Sequence, residues 1–193
     1  MINKILIIFF FLFAGTQSNV VIGNQYTERY CAPQLQEAFA LIQQMPEAQE
    51  VLDKIQKQGG ISIELNHHIS KKFEGYWSPE DRTIYITPGQ SKAGCIVTIL
   101  FEMHNAVHYE TLDYYDTLAY NQQISKKEYV RSVEYWEYQN AIATTAILNK
   151  GIEMGLFPRE CYWPLHDNFE EHFQLQKSTG HSAHIGQMYD SLI

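Results

Sequence analysis

Between Thr98 and His108 the chain reads Thr-Ile-Leu-Phe-Glu-Met-His-Asn-Ala-Val-His. The run is apolar enough for a buried helix, yet it holds a carboxylate and two imidazoles. A carboxylate in such surroundings costs free energy unless it is paired or has a task. At about 100° per residue, Thr98, Phe101, Glu102, Asn105 and Tyr109 share one face, and His104 and His108 lie about 90° round from it. Two histidines four apart on one helix make a workable zinc chelate. Glu134 or Glu137, further along the chain, could supply a third ligand. Such a set would run metal-assisted hydrolysis.

The remaining histidines carry plainer readings. His67 and His68 lie in a polar segment beside Lys71 and Lys72, and His166, His172, His181 and His184 lie in the C-terminal part. The Gly180-His181-Ser182 step reads as a helix start. No Gly-x-Ser-x-Gly and no glycine loop for phosphate occurs, and Cys95 has no histidine placed in sequence to activate it.

The elements that must position these groups are mostly helical. Residues 34–58 favour helix, broken at Pro46 and stopped by Gly59-Gly60. Ile61 to Leu65 alternates like a short strand. Gly75 to Arg82 reads as a turn signal, and Thr83 to Thr87, β-branched and aromatic, is the clearest strand. Ser91 is placed to cap the buried helix. Ser125 and Glu128 form a capping-box pattern opening a long helix that ends near Gly151 and Gly155. Two shorter helices are expected around residues 168–176 and 182–192. The fold class is α+β: mainly helical, with a small β-sheet packed against buried helices.

The chain has 193 residues with a net charge of −8, so no basic footprint for nucleic acid exists. Lys4, the apolar run Ile5 to Ala14, and then Gly15, Thr16 and Ser18 match a secretory signal peptide over residues 1–23, cleaved near 18–23. Residues 24–193 then form one exported domain, periplasmic or secreted, with no membrane span after cleavage. Outside the cytosol a cysteine pair tends to oxidise; Cys31 with Cys161 is the expected bridge, and Cys95 reads as core. Aromatic residues are plentiful, with 13 Tyr, 10 Phe and 3 Trp. Many crowd residues 109–138, where they serve either a binding surface or the core.

The order strand, short loop, buried helix resembles the heart of the zincin metallopeptidases. That family carries His-Glu-x-x-His-Ala on the helix, the histidines binding zinc and the glutamate acting as base. The present chain has Phe101-Glu102-Met103-His104-Asn105-Ala106 there. Glu102 and Ala106 match, whereas Phe101 and Asn105 stand at the ligand positions. Ser132-Val133-Glu134-Tyr135 resembles the place where glutamate-type members supply a third ligand. The resemblance covers roughly residues 61–146. It implies a zincin-like fold on which the zinc ligands have been lost, and hence a non-catalytic binding protein, without cofactor, acting on a protein partner outside the cytosol. The alternative is an active metal-dependent peptidase or hydrolase with zinc shifted to His104, His108 and Glu134. Either way Glu102 is expected to be buried, to face the long helix, and to take donors from Asn105, Tyr135 or a backbone amide near the strand.

Overall fold

The structure, a computed structural model, describes residues 31–68 and 73–193. The leader reading at residues 1–23, and Lys71 and Lys72, lie outside the described residues. A short 3-10 turn at Pro33–Leu35 leads into α1 (Gln36–Ile42), and Pro46 opens α2 (Pro46–Lys57), where its missing N–H is harmless. Strands β1 (Ser62–Leu65), β2 (Gly75–Ser78) and β3 (Thr83–Ile86) form one sheet in the order β1-β3-β2. β1 runs parallel to β3, and β2 antiparallel to it. The expected turn at Gly75 to Arg82 is therefore half strand: Gly75 to Ser78 pair with β3, and the reversal is confined to the residues up to Arg82.

α3 (Lys92–Val107) crosses the sheet, with Ser91 Oγ accepting from the Gly94 amide at its start. Gly75 is required by this crossing. A Cβ there would lie 2.5 Å from the Tyr85 carbonyl oxygen and 2.7 Å from Thr98 Cγ2. Gly75→Ala should cost about 1–3 kcal/mol through forced separation of β2 from α3. Urea unfolding of the variant measures this; an unchanged midpoint would disprove the tight crossing.

α4 (Tyr109–Tyr120) is a helix that the sequence pattern does not announce. Its run of tyrosines and acids buries only Leu112 and Ala119, so the apolar periodicity is thin. Tertiary packing holds it, helped by Tyr129 Oη donating to Asp116 Oδ1 at 2.6 Å. α5 (Lys126–Glu153) opens with the full capping box of Ser125 and Glu128. A 3-10 turn at Arg159–Cys161 precedes α6 (Phe169–Thr179) and α7 (His181–Leu192). Gly180, at φ 89°, ends α6 and starts α7 in a left-handed conformation that suits glycine.

All three cysteines are free. The expected Cys31–Cys161 bridge does not form, because the two lie on different neighbours. Cys31 pairs with Ile63 at the β1 edge, whereas Cys161 Sγ rests 3.8 Å from the Ala93 carbonyl at the start of α3. Cys95 is buried as expected. No helix among the described residues is long and apolar enough to cross a membrane.

Two large apolar clusters, and a small one of Phe101 and Ala141, make up the interior. One joins α1, α2, the sheet and α3 to Ile147 and Leu148 of α5. The other joins Leu112, Ala119, Tyr129, Val133, Ile185 and Tyr189. Along α5 the buried residues between these clusters include four polar ones, Glu134, Glu137, Asn140 and Thr144, besides Tyr138 and Ala141. The candidate site occupies this seam.

Candidate metal centre

Glu102, 0 % exposed, projects from α3 into the seam. Its Oε2 accepts from Asn105 Nδ2 at 2.9 Å, and Asn105 Oδ1 accepts from Asn140 Nδ2 of α5 at 2.7 Å. The expected orientation toward the long helix is therefore the observed one. A second donor comes from the sheet. Thr87 N–H bonds the Glu74 carbonyl, and hydrogen-bonded pairs alternate along an antiparallel ladder. Trp77 thus falls in a pair whose amides point away from β3, and its backbone amide favours the charged form of the Glu102 carboxyl. Tyr135, the third expected donor, is 44 % exposed and packs on Phe169 instead.

Burial pushes the Glu102 carboxyl up to about 8. Asn105 and Trp77 pull in the other direction, and the nearby Glu137 charge adds to the rise. Glu102 Oε1 is buried with no hydrogen-bond partner among the described residues.

Below Glu102 along α5, Glu134 and Glu137 meet the first turn of α7. His181 Nδ1 lies 3.1 Å from Glu134 Oε1, and its Nε2 lies 3.4 Å from Glu137 Oε2. Ser182 Oγ donates to Glu134 Oε1 at 2.5 Å. One ligand atom from each of Glu134, Glu137 and His181 falls within 4.8 Å of the others, and all three residues are buried. No other group of three His, Cys, Asp or Glu side chains converges in this way among the described residues.

The electrostatics show why the three stay together. Burial alone would lower the His181 pKa, but the Glu137 and Glu134 carboxylates outweigh it and hold the imidazole above its usual range. Burial raises Glu137, opposed by His181 and reinforced by Glu134. A protonated imidazole between two carboxylates is thus the cation of this state. It is not a fully satisfied arrangement: Glu134 Oε2 and His181 Nε2 are buried without a directed hydrogen bond. The seam holds three carboxyl groups, Glu102, Glu134 and Glu137, against this one imidazole. Nearby His172 is pushed down by burial, so it adds no charge at neutral pH.

No family model matches the chain, and neither a curated protein nor a solved structure matches it.

The histidine pair favoured by sequence lies elsewhere. His104 is buried on another side of α3, with burial and the charges of His108 and Lys54 holding its pKa down to about 4. His108 sits at the α3–α4 junction, its Nδ1 2.6 Å from Asn140 Oδ1 and its ring 5.4 Å from Trp136. Neither joins Glu134, whose partners are His181 and Ser182. At the two ligand positions of the zincin pattern, Phe101 packs edge-on against Trp163 at 5.5 Å and Asn105 is tied into the amide chain. Glu134 and Glu137, both expected from sequence as possible ligands, belong to the cluster, and His181 is the member that spacing did not reveal.

Two carboxylates and one imidazole form a hard-to-borderline donor set that suits zinc, which takes four ligands and so would need one more besides these three. The unpaired atoms and the surplus of carboxyl groups fit a divalent ion in place of the His181 proton.

Proposed function

We propose that the chain is a metal-dependent hydrolase acting outside the cytosol, in which Glu134, Glu137 and His181 hold a divalent ion and Glu102 is the acid–base group. The convergence of the three buried ligand atoms carries this reading. Glu102 fits its role because a carboxyl tuned toward neutrality can take and return a proton near pH 7. The bound ion would supply a polarised water. The three ligands are buried from solvent in this conformation. Export rests on the leader pattern of residues 1–23.

The test is calorimetric titration of the purified full-length chain with zinc, followed by assay against a peptide mixture. Stoichiometric binding is expected, weakened at least about tenfold by Glu137→Gln and by His181→Ala. His104→Ala should leave it unchanged. Zinc binding that ignores the first two changes, or its absence from the wild type, would overturn the metal centre.

A second reading is favoured by one observation. Phe101 and Asn105 fill the zincin ligand positions with packing and amide contacts, which suits a non-catalytic protein that binds a partner. Bound zinc with no hydrolysis, and a specific protein partner recovered by the chain, would support that reading.

A further inference from the structure

We infer that His108 is a positioning residue for Glu102, acting through Asn140 and Asn105. The links are a His108 Nδ1 to Asn140 Oδ1 contact of 2.6 Å, an Asn140 Nδ2 to Asn105 Oδ1 bond of 2.7 Å, and an Asn105 Nδ2 to Glu102 Oε2 bond of 2.9 Å. Because Asn140 presents an oxygen, His108 must carry its proton on Nδ1. Every donor in the chain then points toward Glu102. Each amide accepts on one side and donates on the other, so the dipoles align and reinforce one another. The chain ends on one oxygen alone. Oε2 is tied, and Oε1 is left without a hydrogen-bond partner among the described residues.

The path is built from Glu102 and Asn105 of α3 and His108 at its C-cap, at three-residue spacing, with Asn140 of α5 bridging the last two. Asn105 and Asn140 are buried, whereas His108 is half-buried and rests against Trp136. A chain whose inner members are sealed and whose outer member reaches the surface fixes the Glu102 rotamer from a distance. Amides do not relay protons readily, so the chain orients the carboxyl rather than conducting to it. This role rests on reading Glu102 as the acid–base group.

Nuclear magnetic resonance of the labelled full-length protein tests it without any substrate. His108→Phe keeps a ring against Trp136 but removes the donor, and His108→Gln restores a donor without the ring. In His108→Phe, the Asn105 side-chain amide should exchange at least about tenfold faster and the Glu102 carboxyl carbon should shift. In His108→Gln both should return toward the wild-type values. Unchanged Asn105 exchange in His108→Phe, or His108→Gln behaving like His108→Phe, would overturn the proposal. Should His108→Phe fail to fold, the wild-type ring decides: neutral His108 must be protonated on Nδ1, and the Nε2 tautomer refutes the chain. Zinc titration is a separate measurement, so failure of the metal centre leaves this result standing.

Discussion

His181→Ala is expected to destabilise the protein by about 3–5 kcal/mol at pH 7, because it strips the counter-charge from two buried carboxyl groups. Glu134 and Glu137 are three residues apart on α5, and both lose their contact with the imidazole. Ser182 can still donate to Glu134, but nothing replaces the imidazole on the Glu137 side. The penalty should shrink toward pH 5. The sign follows from proton binding. In the variant, Glu137 loses the group that lowers its pKa, so its folded pKa rises further above the unfolded value. A carboxyl raised in this way stabilises below its unfolded pKa and loses that contribution as the pH climbs. A proton then stands in for the imidazole at pH 5 and not at pH 7. Urea unfolding at the two pH values measures both the cost and its slope. A loss below about 1 kcal/mol at pH 7, or one that does not depend on pH, would mean that the triad contributes little to folding.

Glu102→Gln should stabilise the protein at pH 8 and be close to neutral at pH 5. The folded carboxyl titrates near 8, and the unfolded one near its ordinary value of about 4.3. Across that window the folded state binds the extra proton, so wild-type stability falls as the pH rises. At roughly 1.4 kcal/mol per pH unit, the fall between pH 5 and pH 8 reaches about 4 kcal/mol at most. Glutamine resembles the neutral acid and carries no such slope, while its carbonyl still accepts from Asn105. Glu102→Leu differs at every pH, since it leaves the Asn105 and Trp77 donors unpaired at a cost of about 1–3 kcal/mol. His104 sets the acid side. Its folded pKa near 4 lies below the ordinary histidine value, so its contribution is present at neutral pH and is lost as the pH falls through the window toward 4. The two slopes oppose and cancel between about pH 4.3 and 6.5, so their joint contribution is flat there and falls above it. Parallel wild-type and Glu102→Gln curves between pH 5 and pH 8 would refute the assignment.

Much of the frame is legible in the sequence. The Ser91 cap, the Ser125–Glu128 box, the break at Pro46 and the strand at Thr83 to Ile86 each rest on local chemistry, which sequence records directly. The burial of Glu102 and its bond from Asn105 follow from a carboxylate set in an apolar run. Sequence and structure part where the cause is distant. α4 is helical through packing on its neighbours, and Gly75 to Ser78 is strand because β3 pairs with it. The metal-centre candidates divide in the same way. Glu134 and Glu137 share a face of α5 and are within reach of pattern reading. His181 lies 47 residues from Glu134 and on a different helix, so no spacing rule ties them together. A histidine opening a helix straight after a glycine is the available signal, and a helix start is the reading that signal invites.

The small sheet has two outer edges, and both are blunted. On one side Cys31 and Ala32 lie along β1, with the Ala32 amide donating to the Ile63 carbonyl. On the other, the outward Trp77 amide is engaged by Glu102. Exposed strand edges are templates on which further chains can add, and proteins that leave them open risk sticking to copies of themselves. The carboxyl proposed as the acid–base group thus also occupies a hydrogen-bonding slot that another strand would need. Trp77 and Glu102 are both fully buried, so that stretch of the edge is sealed by the same packing that holds the carboxyl.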